Sequence, residues 1–248
     1  MKIYFLIPVY NESANIELLA ENLIRTADSF ERFFLFVDDC SSDNSVELLD
    51  RMFEGKPHLV LTKSSNLGPG DSFNRGFDWI LNHSTDDNDL IITLEADNTS
   101  DFDLIPALIQ ISGLDFNLVL PSVYAQGGGF QRSSFFRRVV SFMANMFLRT
   151  VFNVKVQTLS SFFRLYKAGL LRKISSEYKP IISEKGFVCM FEVLMKAIRS
   201  GARIIEVPTI LRSENRKDRS KMKILKTTGQ YLRYTAKLIF SPAKAMKY

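Results

Sequence analysis

Short apolar runs alternate with amphipathic stretches over the first hundred residues. Residues 2–8 read as a buried strand, and Ile16, Leu19, Leu23 and Ile24 fall on one face of a following helix, with Asn11 or Ser13 as its cap. The pattern then repeats. Residues 33–37 form a second apolar run ending at Asp38-Asp39, and Val46, Leu48, Leu49 and Met52 mark a helix. Residues 58–62 are a third run, followed by a helix through Phe73, Phe77, Ile80 and Leu81, and residues 90–94 are a fourth, ending at Glu95-Ala96-Asp97. Strands alternating with helices predict an α/β fold, Rossmann-like, with a mainly parallel sheet covered on both faces. Beyond Asp101 the rhythm loosens. A helix over 103–111, a strand over 118–121, a flexible loop at Gly127-Gly128-Gly129, a long helix over 135–152, a strand over 202–208 and a final helical stretch over 223–248 interrupted by Pro242 are expected.

Composition narrows this picture. Hydrophobic residues at 46% and charged residues at 24% suit a soluble globular chain, and no Pro/Gly/Ser-rich linker divides its 248 residues. We therefore expect one domain over 1–222 and a basic amphipathic segment over 223–248. Cys40 and Cys189 form no CxxC pair, which argues for reduced core or near-core thiols. The N-terminal apolar run is too short for a secretory signal, and no 18-residue uncharged apolar stretch predicts a membrane span.

Charge is unevenly spread. Residues 1–110 carry 7 Lys/Arg against 20 Asp/Glu, whereas residues 201–248 carry 12 against 3. An acidic first half suits a divalent cation, and a basic tail suits a diphosphate or an anionic membrane, although a solvated basic face has the same composition. No basic nucleic-acid motif accompanies the tail. In open α/β sheets ligands bind beyond the carboxyl ends of strands. Those ends carry Glu12, Asp38, Asp39, Glu95 and Asp97, five carboxylates in three loops, which predicts one shared site.

Six stretches, in order, resemble the family-2 glycosyltransferases of GT-A fold, and among them the dolichol-phosphate (polyprenyl-phosphate) mannose synthase group. They are Ile7-Pro8-Val9-Tyr10-Asn11-Glu12; residues 37–45 from Val37; residues 66–76, from Asn66-Leu67-Gly68-Pro69-Gly70 to Gly76; Glu95-Ala96-Asp97, where the family has Asp-Ala-Asp; the triple glycine with Arg137-Arg138 and residues 159–166; and Glu206-Val207-Pro208 with residues 216–222. The resemblance implies that Pro8, Tyr10, Glu12, Val37, Asp39 and Ala96 bind the nucleotide sugar. Glu95 and Asp97 would hold Mg²⁺ or Mn²⁺, and Arg216 and Lys221 would meet the diphosphate. Arg132, Arg137 and Arg138 would bind an acceptor phosphate, with Arg164 in a catalytic role beside Asp97 and Glu95. Cys40 stands where the family has a small residue, Val123 where it has Arg and Thr158 where it has Asp.

The activity so implied is inverting transfer of a hexose from a GDP- or UDP-linked donor to a polyprenyl phosphate. An ionised phosphate needs no general base, whereas a sugar hydroxyl does. Phe130, Phe135, Phe136, Phe142, Met143, Met146 and Phe147 offer either an apolar surface for the lipid or ordinary core. The predicted place is the cytoplasmic face of a membrane, held peripherally. The alternatives are a saccharide acceptor and a non-catalytic nucleotide-sugar binder. A dinucleotide oxidoreductase is disfavoured, because the first strand leads into Pro8-Val9-Tyr10 and not a GxGxxG turn.

Overall fold

The computed structural model describes residues 1–132, 135–217 and 224–240; for 135–137, 140 and 224–226 it describes the main chain alone. The chain runs β1 (Ile3–Val9), α1 (Ser13–Arg25), β2 (Arg32–Asp38), α2 (Ser45–Met52), β3 (His58–Thr62), α3 (Pro69–His83), β4 (Leu90–Thr93), α4 (Ile105–Ser112), β5 (Leu118–Ser122), β6 (Gly129–Gln131), α5 (Phe135–Phe152), β7 (Arg164–Lys167), α6 (Ala168–Glu177), α7 (Cys189–Arg199), β8 (Ile204–Pro208), β9 (Ile210–Arg212) and α8 (Ile224–Phe240). Seven strands form one sheet in the order β3-β2-β1-β4-β7-β5-β8. Only β7 runs against its neighbours, pairing antiparallel with both β4 and β5.

The strand alternation builds two cores, one per face. Tyr4, Leu6, Leu35 and Val37 point to one side, against Phe73, Phe77 and Ile80 of α3, most of α7, and Tyr234 and Leu238 of α8. Ile3, Phe5, Ile7, Phe34 and Phe36 point to the other, against Ile16, Leu19 and Leu23 of α1, Leu49 of α2, and Ile105 and Leu108 of α4. Because Tyr234 and Leu238 lie in the first core, α8 is packed on the sheet domain.

Three expectations change. The triple glycine is not wholly a loop, because Gly129 opens β6, which pairs parallel with β9. Cys40 is exposed, although Cys189 is buried as expected. Asn11 and Ser13 do not cap α1 through their own side chains; that duty falls to a neighbouring loop described below.

Candidate functional site

β1, β2 and β4 lie side by side, so the three loops leaving their carboxyl ends are neighbours. Each contains one non-glycine residue in the left-handed region: Asn11 (φ 51°), Cys40 (φ 64°) and Asn98 (φ 62°). This conformation is uncommon outside glycine and suits tight chain reversal. The first two loops are stitched together. Asn11 N donates to Ser41 Oγ (2.8 Å), Glu12 N to Ser45 Oγ (2.8 Å), and Ser13 N to Asp43 Oδ2 (3.1 Å). Asp43 and Ser45 therefore cap α1 from the neighbouring loop. Burial pushes the Asp43 carboxyl up, but hydrogen bonds from Ser45 and Ser13 outweigh it and leave the pKa below the usual value.

The five carboxylates divide their work. Asp38 receives the Ser41 amide, and Glu12 receives Asn15 Nδ2 (2.6 Å). Asp39, buried, receives Leu67 N and Gly68 N (2.8 Å each) and the Lys63 ammonium (2.7 Å). Lys63 is itself buried and also meets Asp71 (3.0 Å). Asp39 thus holds the turn at the start of α3. There Gly68 adopts φ 90°, and a Cβ on Gly70 would lie 1.9 Å from the Glu184 carbonyl oxygen. Lys63 was not foreseen; its one sequence signal is a lysine just beyond a strand end.

Glu95 and Asp97 remain as a pair. Burial, then repulsion by Asp97, raises the Glu95 pKa to about 7, against a smaller opposing pull from Arg216. Asp97 is aimed by Thr99, whose N (3.1 Å) and Oγ1 (2.7 Å) both donate to Oδ1. Its other oxygen receives Arg216, with Nε at 2.7 Å and Nη2 also in contact. The segment carrying Arg216 is laid over the turn that follows β4. Arg212 N donates to Thr99 O (3.0 Å), Asn215 Nδ2 to Asn98 O (3.2 Å) and Lys217 N to Asn15 Oδ1 (3.1 Å), while Arg212 also meets Asp101 (3.1 Å). Two mutually repelling carboxylates fit a hard cation that takes its remaining ligands from phosphates and water. Among the described residues no group of three or more His, Cys, Asp or Glu stands together as a metal cage.

The other expected residues separate clearly. Pro8 is half-buried at the end of β1, and Tyr10 is 37% exposed beside it. Val37 and Ala96 are core residues whose side chains pack inward. Arg164 opens β7. It is fully buried, with its guanidinium donating to Ser161 O, Leu159 O and Met190 O (2.8 Å each) and to Tyr166 Oη (3.3 Å), so its donors serve the fold. Arg132, just after β6, and Arg138, in the first turn of α5, are both exposed. The Arg137 side chain and all of Lys221 lie outside the described residues. Along α5, Phe142, Met143, Met146 and Phe147 are each 44–52% exposed, while Leu148 and Phe152 face the core. Among the described residues, no helix is long and apolar enough to cross a membrane.

With this geometry in hand, comparison with known proteins is direct. The family model described as "Glycosyl transferase family 2" matches residues 4–175. The chain is 28% identical over 210 residues to an undecaprenyl-phosphate mannosyltransferase of Micrococcus luteus, covering 84% of this chain and 82% of that one. It is 26% identical over 205 residues to a polyprenol monophosphomannose synthase of Mycolicibacterium smegmatis (82% and 74% covered). Against a dolichol-phosphate mannosyltransferase of Pyrococcus furiosus it is 27% identical over 243 residues, covering 96% of this chain and 64% of the relative. In fold it is similar to glucosyl-3-phosphoglycerate synthase of Mycobacterium tuberculosis, solved with Mn²⁺ and UDP. That match has a TM-score of 0.66 at 16% identity and covers 99% of this chain and 81% of that one.

Proposed function

Since the chain belongs to glycosyltransferase family 2, we propose that it transfers a hexose from a nucleotide-diphosphate sugar to a polyprenyl phosphate, with inversion. The observation that carries this reading is the exposed apolar face of α5, with exposed Arg138 in its first turn and exposed Arg132 just after β6. A phosphate on a lipid needs cations and an apolar bed together. The names of the three relatives, each a polyprenyl- or dolichyl-phosphate mannosyltransferase or synthase, point the same way.

In the transfer, an acceptor phosphate oxygen attacks the anomeric carbon, the bond to the donor diphosphate breaks, and the nucleoside diphosphate leaves. Tyr10 and Glu12 face the nucleoside, and Arg216 and Lys221 the diphosphate. Arg132, Arg137 and Arg138 draw in the acceptor phosphate. Asp97, aimed by Thr99, and Glu95 would hold Mg²⁺ or Mn²⁺, which neutralises charge developing on the diphosphate. Asp39 supports the nucleoside pocket by fixing the Leu67–Gly68 turn.

The exposed residues of α5, with Leu232, Ile239 and Phe240 of α8, also suit peripheral attachment at the cytoplasmic face of a membrane. Burying such half-exposed side chains is worth about 1 kcal/mol each, enough collectively for reversible binding.

The test is to incubate the protein with Mn²⁺ or Mg²⁺ and a panel of GDP- and UDP-sugars, with and without a short polyprenyl phosphate, and to measure released nucleoside diphosphate. Release that needs the lipid and vanishes in Asp97→Ala is expected. Release indifferent to the lipid would move the acceptor to a saccharide. Nucleotide binding without turnover would leave a non-catalytic binder.

A further inference from the structure

The stretch between α5 and β7 has no regular structure, yet over residues 157–162 its backbone is held by side chains from four elements. Glu206 on β8 receives both Gln157 N and Thr158 N (2.8 Å each). Asn145 on α5 receives Leu159 N at 3.2 Å. Arg164 on β7 donates to Leu159 O and Ser161 O. One residue further, Phe162 O accepts Thr93 Oγ1 at 2.5 Å, at the last position of β4 and two residues before Glu95. At its other end the stretch reaches the exposed face of α5. Asn145 Nδ2 donates to Ser141 O (2.9 Å) and meets Tyr124 Oη (3.4 Å), and the Tyr124 ring lies against Phe130 and Phe142 (centroids 5.7 and 6.2 Å). Residues 157–162 therefore bridge the carboxylate pair and the helix that bears the apolar face.

We infer that Glu206 and Asn145 are positioning residues for the acceptor half of the site: by fixing residues 157–161 they set where α5 stands relative to Glu95 and Asp97. This rests on the polyprenyl-phosphate reading. In-line attack tolerates little misplacement, so a bridge with a slack backbone penalises the acceptor. The nucleotide half is braced independently, by Asp39, Asp43 and Ser45, and is left alone.

Glu206→Gln keeps the shape but replaces one of two acceptor oxygens with an NH₂ that faces an amide N–H. Loss of a charge-assisted hydrogen bond predicts a rise in KM for a short polyprenyl phosphate of about tenfold. Hydrogen exchange at the Gln157 and Thr158 amides quickens, and binding of the nucleoside diphosphate with Mn²⁺ stays within about twofold of wild type. Asn145→Ala removes the acceptor for Leu159 N; it serves as the second variant, with the same split expected. A purely structural role predicts instead that nucleotide binding and acceptor use decline together, and that outcome overturns the inference. So does an unchanged acceptor KM in both variants. If the wild type itself ignores polyprenyl phosphate, the acceptor assignment falls and takes this inference with it. Wild-type transfer with indifferent variants sinks this inference alone.

Discussion

Glu95 shows how much one half-buried carboxylate depends on its neighbours. Its pKa, raised to about 7 from 4.5 by burial and by Asp97, means that the metal-free folded chain binds a proton the unfolded chain has released. The linkage sign follows: Glu95 contributes stability that is complete below about pH 4.5 and is lost as pH rises through about 7. In Glu95→Gln, thermal melts without metal should lose this component, so stability falls less between pH 5 and 7 than in wild type. An unchanged pH dependence would remove Glu95 as its source. Arg164 makes a second residue-scale prediction. Its donors are committed to three carbonyls and a phenol inside the fold. Arg164→Lys should therefore cost about 2–4 kcal/mol in denaturant unfolding, from buried carbonyls left unpaired. A lysine variant of normal stability with lost turnover would restore Arg164 to the chemistry. The sequence displayed both residues in suggestive motifs, yet could not tell them apart. The carbonyls that occupy Arg164 carry no side-chain signature, and one of them, on Met190, is 26 residues away.

At the scale of elements, legibility followed amphipathicity. The runs of β1 to β4 and the one-sided helices between them stand out because each has a dry and a wet face, or is a short unbroken apolar run. α7 was missed because it has almost no wet face: nine of its residues, from Cys189 to Ala197, are buried, including the paired Glu192 and Lys196 (2.7 Å). The residues of β7 were placed in a motif, but four residues cannot reveal an antiparallel direction. α1 carries a testable dependence on a foreign cap. Asp43→Ala removes the acceptor for Ser13 N and should destabilise the fold by about 1 kcal/mol in chemical denaturation. The α5 face predicts the converse. Phe147→Ser, at a position 49% exposed, should shift stability by no more than about 0.5 kcal/mol while weakening flotation with anionic vesicles. Equal vesicle binding by the variant would disconnect this face from the membrane.

At the scale of the whole molecule, the two cores meet through a single sheet, and α8 closes one of them. Tyr234 lies edge-on to Phe191 (6.0 Å), and Arg233 reaches Glu184 (3.1 Å) on the segment that also crowds Gly70. Removing residues 224–248 should lower the melting temperature and not merely release a tail; an unshifted melt would make the C-terminal helix an appendage. The opposite end of the molecule holds the feature with the widest consequence. Arg216 rests on Asp97, while its own segment is buttoned to residues 98–101. The carboxylate thus has a resident partner, and a metal ion binding at Asp97 would compete with it. Mn²⁺ alone should therefore loosen residues 212–217 and quicken tryptic cleavage after Arg216 and Lys217, and a nucleoside diphosphate added with it should slow cleavage again by giving the guanidinium somewhere new to go. Under the proposed chemistry, donor capture is an exchange of counter-ions, in which Asp97 passes from one positive charge to another.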